Sequence, residues 1–190
     1  MCYNIIAVFE NLFRREAEMN KYLDAEKALE VVVYISHKTT DLFHIVKTIY
    51  YADKIHLEKY GRLITGDYYV AMEDGPVPSG AYDLIKNVRG DEYTYEKKII
   101  DAHPEKALQA KGNDVTPLRG ADLDYFSESD KECLDEAIEK YAGMDGGKLS
   151  QIVHEEEAYK KTERNKPIPL IAIITLDLPN GKDVLEYLDS

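Results

Sequence analysis

Apolar residues recur along this chain mainly at helical spacing. The clearest stretch runs from Leu42 to His56, where Leu42, Ile45, Val46, Ile49, Ala52 and His56 fall on one helical face. Thr39, Thr40 and Asp41 precede it as candidate N-caps. Tyr60–Gly61 closes it with a glycine suited to a left-handed C-cap. An earlier helix is predicted from Asp24 to about Lys38, with Asp24 as its cap and Ala25, Ala28, Leu29, Val32, Val33 and Ser36 near one face. A third is predicted from about Gly80 to Arg89, capped by Ser79 and ended by Gly90. In "YFSESDKECLDEAIEKYAG", two capping boxes overlap, Ser127 with Asp130 and Ser129 with Glu132. Cys133, Leu134, Ala137, Ile138 and Tyr141 form the buried stripe of that helix. A short helix holding Leu149, Ile152 and Val153 follows, and the tail "KDVLEYLDS" predicts a last helical turn or two.

Strand signals are fewer. "LIT" and "YYVAM", joined by Gly66–Asp67, predict a hairpin. In the next stretch, "DGPVPSGAYD", Pro76 and Pro78 cannot donate ladder hydrogen bonds. The reading is that the strand stops there and Gly75–Ser79 makes a stiff corner. The Ile-rich run in "KPIPLIAIITLDLPNG" reads as a buried strand. "EYTYEKKII" fits strand or helix, and residues 1–20 read as a strand followed by a helical turn.

Composition narrows the class. A chain of 190 residues, 44% hydrophobic and 32% charged, suits one globular domain that needs no disulfides or metals. Cys2 and Cys133 lie far apart without metal-ligand spacing, which suits a reducing compartment. No signal peptide and no membrane span are expected, and the predicted location is cytoplasmic. The net charge of -12 disfavours binding to nucleic acid. Residues 121–190 carry 17 acidic against 8 basic groups, a bias that attracts a basic partner or simply confers solubility.

Candidate chemistry is sparse. Asp53 and His56 stand three apart on the strong helix, a spacing that lets a carboxylate orient an imidazole. The plainer account is a half-buried histidine bonded to a local acid. His154 with Glu155, Glu156 and Glu157 reads as a solvated acidic segment before it reads as a metal site. "GMDGGKLS" lacks the spacing of a phosphate loop and reads as a turn between helices. No cofactor or metal is expected. The 15 tyrosines suit either the core of this domain or an interface.

One long ordered block is specific. "HIVKTIYYADKIHLEKYGRLITGDYYVAMEDGPVPSGAYDLIK" resembles the hallmark of the Panacea domain, the SocA-like antitoxin family. The residues that carry the resemblance are Lys47, Tyr50, Tyr51, Asp53, His56, Tyr60, Gly61, Gly66, Asp67, Gly75, Pro76, Val77, Pro78 and Tyr82. "FSESDKECLDEAIEKYAG" and "LSQIVHEEEAY" are similar to the family's second half, so the likeness covers roughly residues 24 to 161. It implies an α+β fold: a predominantly helical single domain with a small antiparallel β-hairpin or sheet. It also implies a non-enzymatic antitoxin from bacteria or their phages, acting on a cognate protein toxin encoded by the adjacent gene. Neutralisation would be by direct binding. A proteolytic adaptor that delivers the toxin to a protease is the family's other mode, and a hydrolase using Asp53 and His56 is the reading outside the family. The motif residues are implied to be structural or partner-binding, with none catalytic. Residues 1–20 are expected to be an extension, and 21–190 the antitoxin domain.

Overall fold

The computed structural model describes residues 23–188; the strand expected in residues 1–20 lies outside them. Helix α1 (Ala25–Ser36) starts where Asp24 accepts the Lys27 N–H at 2.9 Å, as its sequence predicts. Its burial exceeds the single expected stripe. Val31, Val32, Val33 and Ile35 are all buried, so the helix is packed on nearly every side. Even Glu30 is buried, matched by the Arg119 guanidinium and by the Asp122 N–H at 2.7 Å.

Helix α2 (Leu42–Tyr60) is the spine. Asp41 caps it by accepting the His44 N–H, and Gly61 ends it at φ 69°. The ring of Tyr187 also lies close over this position, 2.5 Å from where a Cβ would stand, so a side chain there would displace it.

The hairpin forms one step later than the sequence suggested. Strands β1 (Tyr69–Met72) and β2 (Gly75–Pro78) pair antiparallel and turn at Glu73–Asp74. Leu63–Thr65 is not a strand, and Gly66–Asp67 is not the hairpin turn. Instead, Asp67 is fully buried and accepts the Gly80 and Ala81 N–H groups, each at 2.9 Å. It thereby caps helix α3 (Ser79–Arg89) from thirteen residues away. Ser79, the expected cap, instead donates its hydroxyl to the Tyr68 hydroxyl.

The two prolines lie inside β2 rather than ending a strand before it. The Ser79 N–H donates to the Tyr68 carbonyl, and Val70 faces Val77 in register. By alternation, Pro76 and Pro78 fall where the amide points away from β1, so no ladder bond is lost. β2 is the edge of a sheet ordered β2-β1-β5.

Beyond α3, the ambiguous "EYTYEKKII" yields a one-turn helix, α4 (Lys97–Asp101). A second, unanticipated hairpin follows, β3 (Leu108–Lys111) with β4 (Asp114–Pro117). Helix α5 (Glu128–Ala137) uses the Ser127–Asp130 capping box and runs on into a π turn over Ile138–Ala142. Asp145 caps α6 (Gly146–Glu155), and α7 (Glu157–Lys160) adds one turn. Only Pro167–Ile168 of the Ile-rich run is strand, β5, paired with β1. Leu170–Ala172 (α8) and a π turn over Ile173–Asp177 are helical. Pro169 precedes that helix, and the coiled backbone buries Ile171, Ile173 and Ile174, with Ile173 in the main core and Ile174 in a second, smaller one. A last helix, α9 (Gly181–Leu188), joins Val184 to Leu57, Ile174 and Leu178 in a small second core. The fold is α+β and mostly helical, as expected, with one main core around α1, α2, α3 and α5.

Replacing Asp67 by alanine removes both distant cap bonds and leaves two buried N–H groups unpaired. Stability should fall by about 2–4 kcal/mol in urea unfolding, and a change below about 0.5 kcal/mol would refute the cap.

Candidate functional site

The motif residues on α2 point inward and grip the loops that pass over them. Asp53 is buried; it accepts the Ile64 N–H at 2.7 Å and the Tyr69 hydroxyl at 2.5 Å. His56 lies 2.9 Å from the Arg62 carbonyl through Nδ1. Its Nε2 lies 3.1 Å from the Ser129 hydroxyl and 3.3 Å from the Asp130 carboxylate. The two side chains therefore serve different partners and do not converge on a cleft, which removes the geometric basis for a hydrolase pair. Burial lowers the His56 pKa, with the Arg62 carbonyl pulling the other way. Burial also opposes ionisation of Asp130. Lys27 and the Ser127 N–H and hydroxyl outweigh it, holding the carboxyl at about 2.

Tyr50 and Tyr51 both donate to Glu156, at 3.4 and 3.1 Å, and Lys54 pairs with the same carboxylate. Burial, reinforced by Glu156, raises both phenols far above their usual range, so they remain donors. Tyr51 stacks on Tyr141 with ring centres 4.0 Å apart. Asp177, brought beside them by the π turn, accepts the Glu157 and Ala158 N–H groups and so caps α7. Burial raises its pKa, and the neighbouring Glu156 charge adds to the rise. Tyr60 stands at the surface and donates to Glu132 at 2.7 Å. Gly66, at φ 69°, carries the chain into Asp67.

Lys47 behaves differently from these clamps. It is fully buried, and its ammonium donates to the Pro76 carbonyl at 2.8 Å. That carbonyl lies on the outer edge of β2, the side the prolines leave without donors. Gly75, at φ 100°, lets the strand close over the ammonium: a Cβ there would sit 2.9 Å from Val153 and 3.3 Å from Lys47 Nζ. Burial pulls the Lys47 pKa down to about 7, with Asp74 acting against it.

Above this corner a groove of about 340 Å³ opens between α2, the β1–β2 turn and α3. Phe43, Val46, Met72, Val77 and Tyr82 form its apolar walls, and Lys47 forms part of its floor. Glu73, Asp74 and Arg164 stand at its mouth. Glu73 and Arg164 form an ion pair at 2.5 Å, and both also line a smaller pocket of about 200 Å³. Of the motif residues, Lys47, Val77 and Tyr82 meet at the groove, and the others do not line it. Phe43 and Met72 were missed from sequence. The available signal for Phe43 was its place four residues before Lys47 on one helical face. His154 is tied to the Ser150 and Glu73 carbonyls, and among the described residues no group of three or more His, Cys, Asp or Glu is placed to hold a metal ion. No described helix is long and apolar enough to cross a membrane.

The family model described as "Antitoxin SocA-like, Panacea domain" matches residues 45–160, more than half of the chain. The chain belongs to this family. Its matched span covers α2 from Ile45 onward, both hairpins, α3, α5 and α6, and so includes most of the groove walls, Phe43 excepted. No curated protein and no solved structure gives a match.

The buried carboxyls make stability depend on pH in a definite sense. Burial pushes Asp53 up to about 7 and Asp67 up to about 6, against the pull of their hydrogen-bond donors. The folded chain then holds these protons more tightly than the unfolded chain. Their stabilisation is full below about pH 4 and is lost as pH rises through 6 to 7. An Asp53→Asn chain, which mimics the protonated acid, should lose less stability between about pH 4 and pH 7 than wild type does. Urea midpoints across that range measure the two slopes, and equal slopes would contradict the assignment.

Proposed function

We propose that this protein is the antitoxin of a toxin–antitoxin pair and neutralises a cognate protein toxin by direct binding. Family membership is the observation that carries the reading. It is supported by the position of the groove, built on the proline hairpin of the family block and open to a partner. The reading is of a binding protein and not an enzyme: Asp53 and His56 are consumed in buried bonds to neighbouring loops. The antitoxin domain is taken as residues 21–190, because the elements after residue 162 pack on α2 through Leu57 and complete its core. Residues 1–20 are taken as an extension. The toxin is encoded by the neighbouring gene, and both proteins act in the cytoplasm. With a net charge of -12, the antitoxin is drawn toward basic protein surface at long range and kept off nucleic acid.

Expression of the neighbouring gene alone, and together with this chain, tests the proposal. The neighbour should stop growth on its own. Co-expression should restore growth, with the two proteins co-eluting and the toxin undiminished in amount. A harmless neighbour, or the absence of a complex, would sink the reading. Restored growth with a depleted toxin would replace masking by delivery to a protease.

A further inference from the structure

Lys47 is an anomaly that the fold alone does not explain. An ammonium carries three N–H donors. This one is fully buried, and its hydrogen bond goes to a neutral carbonyl, Pro76. No carboxylate of the described residues pairs with it, and Asp74 acts on it only at longer range. Buried cations are ordinarily matched by an anion, because the desolvation cost is otherwise uncompensated. Lys27 and Lys54, two largely covered lysines of this protein, follow that rule, with Asp130 and Glu156 as partners. A scaffold role would be filled as well by a group without charge.

The exception lies under the groove. The ammonium sits between the Pro76 carbonyl and the ring of Phe43, whose centre is 5.4 Å away, and Phe43 is a half-buried side chain of the groove wall. A turn of Phe43 about its side-chain bonds opens the ammonium to whatever occupies the groove. The walls are apolar and the volume of about 340 Å³ suits one large side chain with its neighbour.

We propose that this groove is the docking site for a segment of the toxin that presents an acidic side chain beside an apolar one, the carboxylate pairing with Lys47 and the apolar group packing between Phe43, Met72, Val77 and Tyr82. The proposal rests on the antitoxin reading above. It gives the two chains separate electrostatic roles. The overall negative charge draws in basic surface on the toxin, and Lys47, the buried amine without an acidic partner among the described residues, then selects a particular acid that holds it protonated. Binding completes the ion pair inside an interface from which water is excluded, where a paired charge counts most.

The test uses full-length chains and the toxin encoded by the neighbouring gene. Lys47→Met keeps the length of the side chain and removes the charge. It should fold, with thermal stability at pH 7 no more than a few degrees below wild type because only the Pro76 carbonyl loses its donor, and bind the toxin at least about 30-fold more weakly. Tyr82→Ala, on the half-buried wall, should weaken binding about 10-fold or more and guards against a fold-specific failure of the first variant. Met72→Glu, which places a carboxylate in the groove, should block the toxin while leaving the fold intact. On the toxin, single Asp or Glu replacements should reveal one acid whose loss is non-additive with Lys47→Met in a double-mutant cycle. Wild-type binding with Lys47→Met and Tyr82→Ala both at the wild-type Kd would overturn the groove and leave the antitoxin reading standing. Loss on removal of the toxin's C-terminal residue, with no acidic side chain responding, would overturn the stated chemistry. No binding by the wild-type chain would overturn both readings.

Discussion

The fold depends on one requirement: loop backbone buried against α2 must have hydrogen-bond partners where water cannot reach. Side chains of α2 and its neighbours supply them. Asp53 takes the Ile64 N–H, His56 takes the Arg62 carbonyl and Lys47 takes the Pro76 carbonyl. Asp67 takes the first amides of α3, and Asp177 takes those of α7. Each bond alone contributes modestly, but leaving any of these groups unpaired costs about 1–3 kcal/mol. The family block is, in physical terms, mostly a set of clamps that let irregular chain pass over an apolar helix without orphaned polar groups. It accounts for so many ionisable residues at zero or near-zero exposure in one short block of chain.

That requirement also marks the limit of what the sequence reveals. Features closed within a few residues were legible. Asp24 and Asp41 cap the helices they precede, Gly61 and Gly90 end theirs, and the Ser127–Asp130 box starts α5. The apolar stripes placed α1, α2 and α3 correctly, although α1 is buried on more sides than its stripe implied. Distant closures were not legible. Asp67 looks like half of a tight hairpin turn, because Gly–Asp is a turn pair and nothing local shows that its carboxylate serves residues 80 and 81. The two prolines look like strand breakers because only the register with β1 reveals that their amides face outward. In the Ile-rich run, β-branched composition favours strand. The winning constraint was tertiary: a coil that buries Ile173 and Ile174 on separate sides and turns Asp177 to α7.

The electrostatics divide in the same way. Burial pushes both carboxyls up; Lys27 and Ser127 outweigh it at Asp130 and hold that carboxyl at about 2, whereas the neutral donors of Asp53 do not, and it rises to about 7. Both are closed to solvent, but Asp53 lies deeper and has no cationic partner. Spacing on a helix cannot show it. The Asp53–His56 pair looked like an orienting dyad in sequence for this reason: the i, i+3 relation is present, but each side chain is turned to a different loop.

The proline hairpin draws scaffold and site together. Seen as sequence, "DGPVPSGAYD" poses a choice between a stiff corner and a place for a ligand. Register resolves the first half: Pro76 and Pro78 stiffen an edge strand at no cost in ladder bonds, and the outward Pro76 carbonyl has to find a donor. The donor chosen is a lysine, longer and more costly to bury than a serine or asparagine would be. It reaches the carbonyl by lying beneath the groove, with Gly75 closing over it and Val77 and Tyr82 rising beside it. The same side chain that satisfies the corner therefore puts an ionisable amine under the apolar walls of the groove. A corner built only for rigidity would not need that charge, and a ligand loop alone would not need two prolines on a sheet edge. Their coincidence at one strand makes the hairpin a rigid wall of the groove.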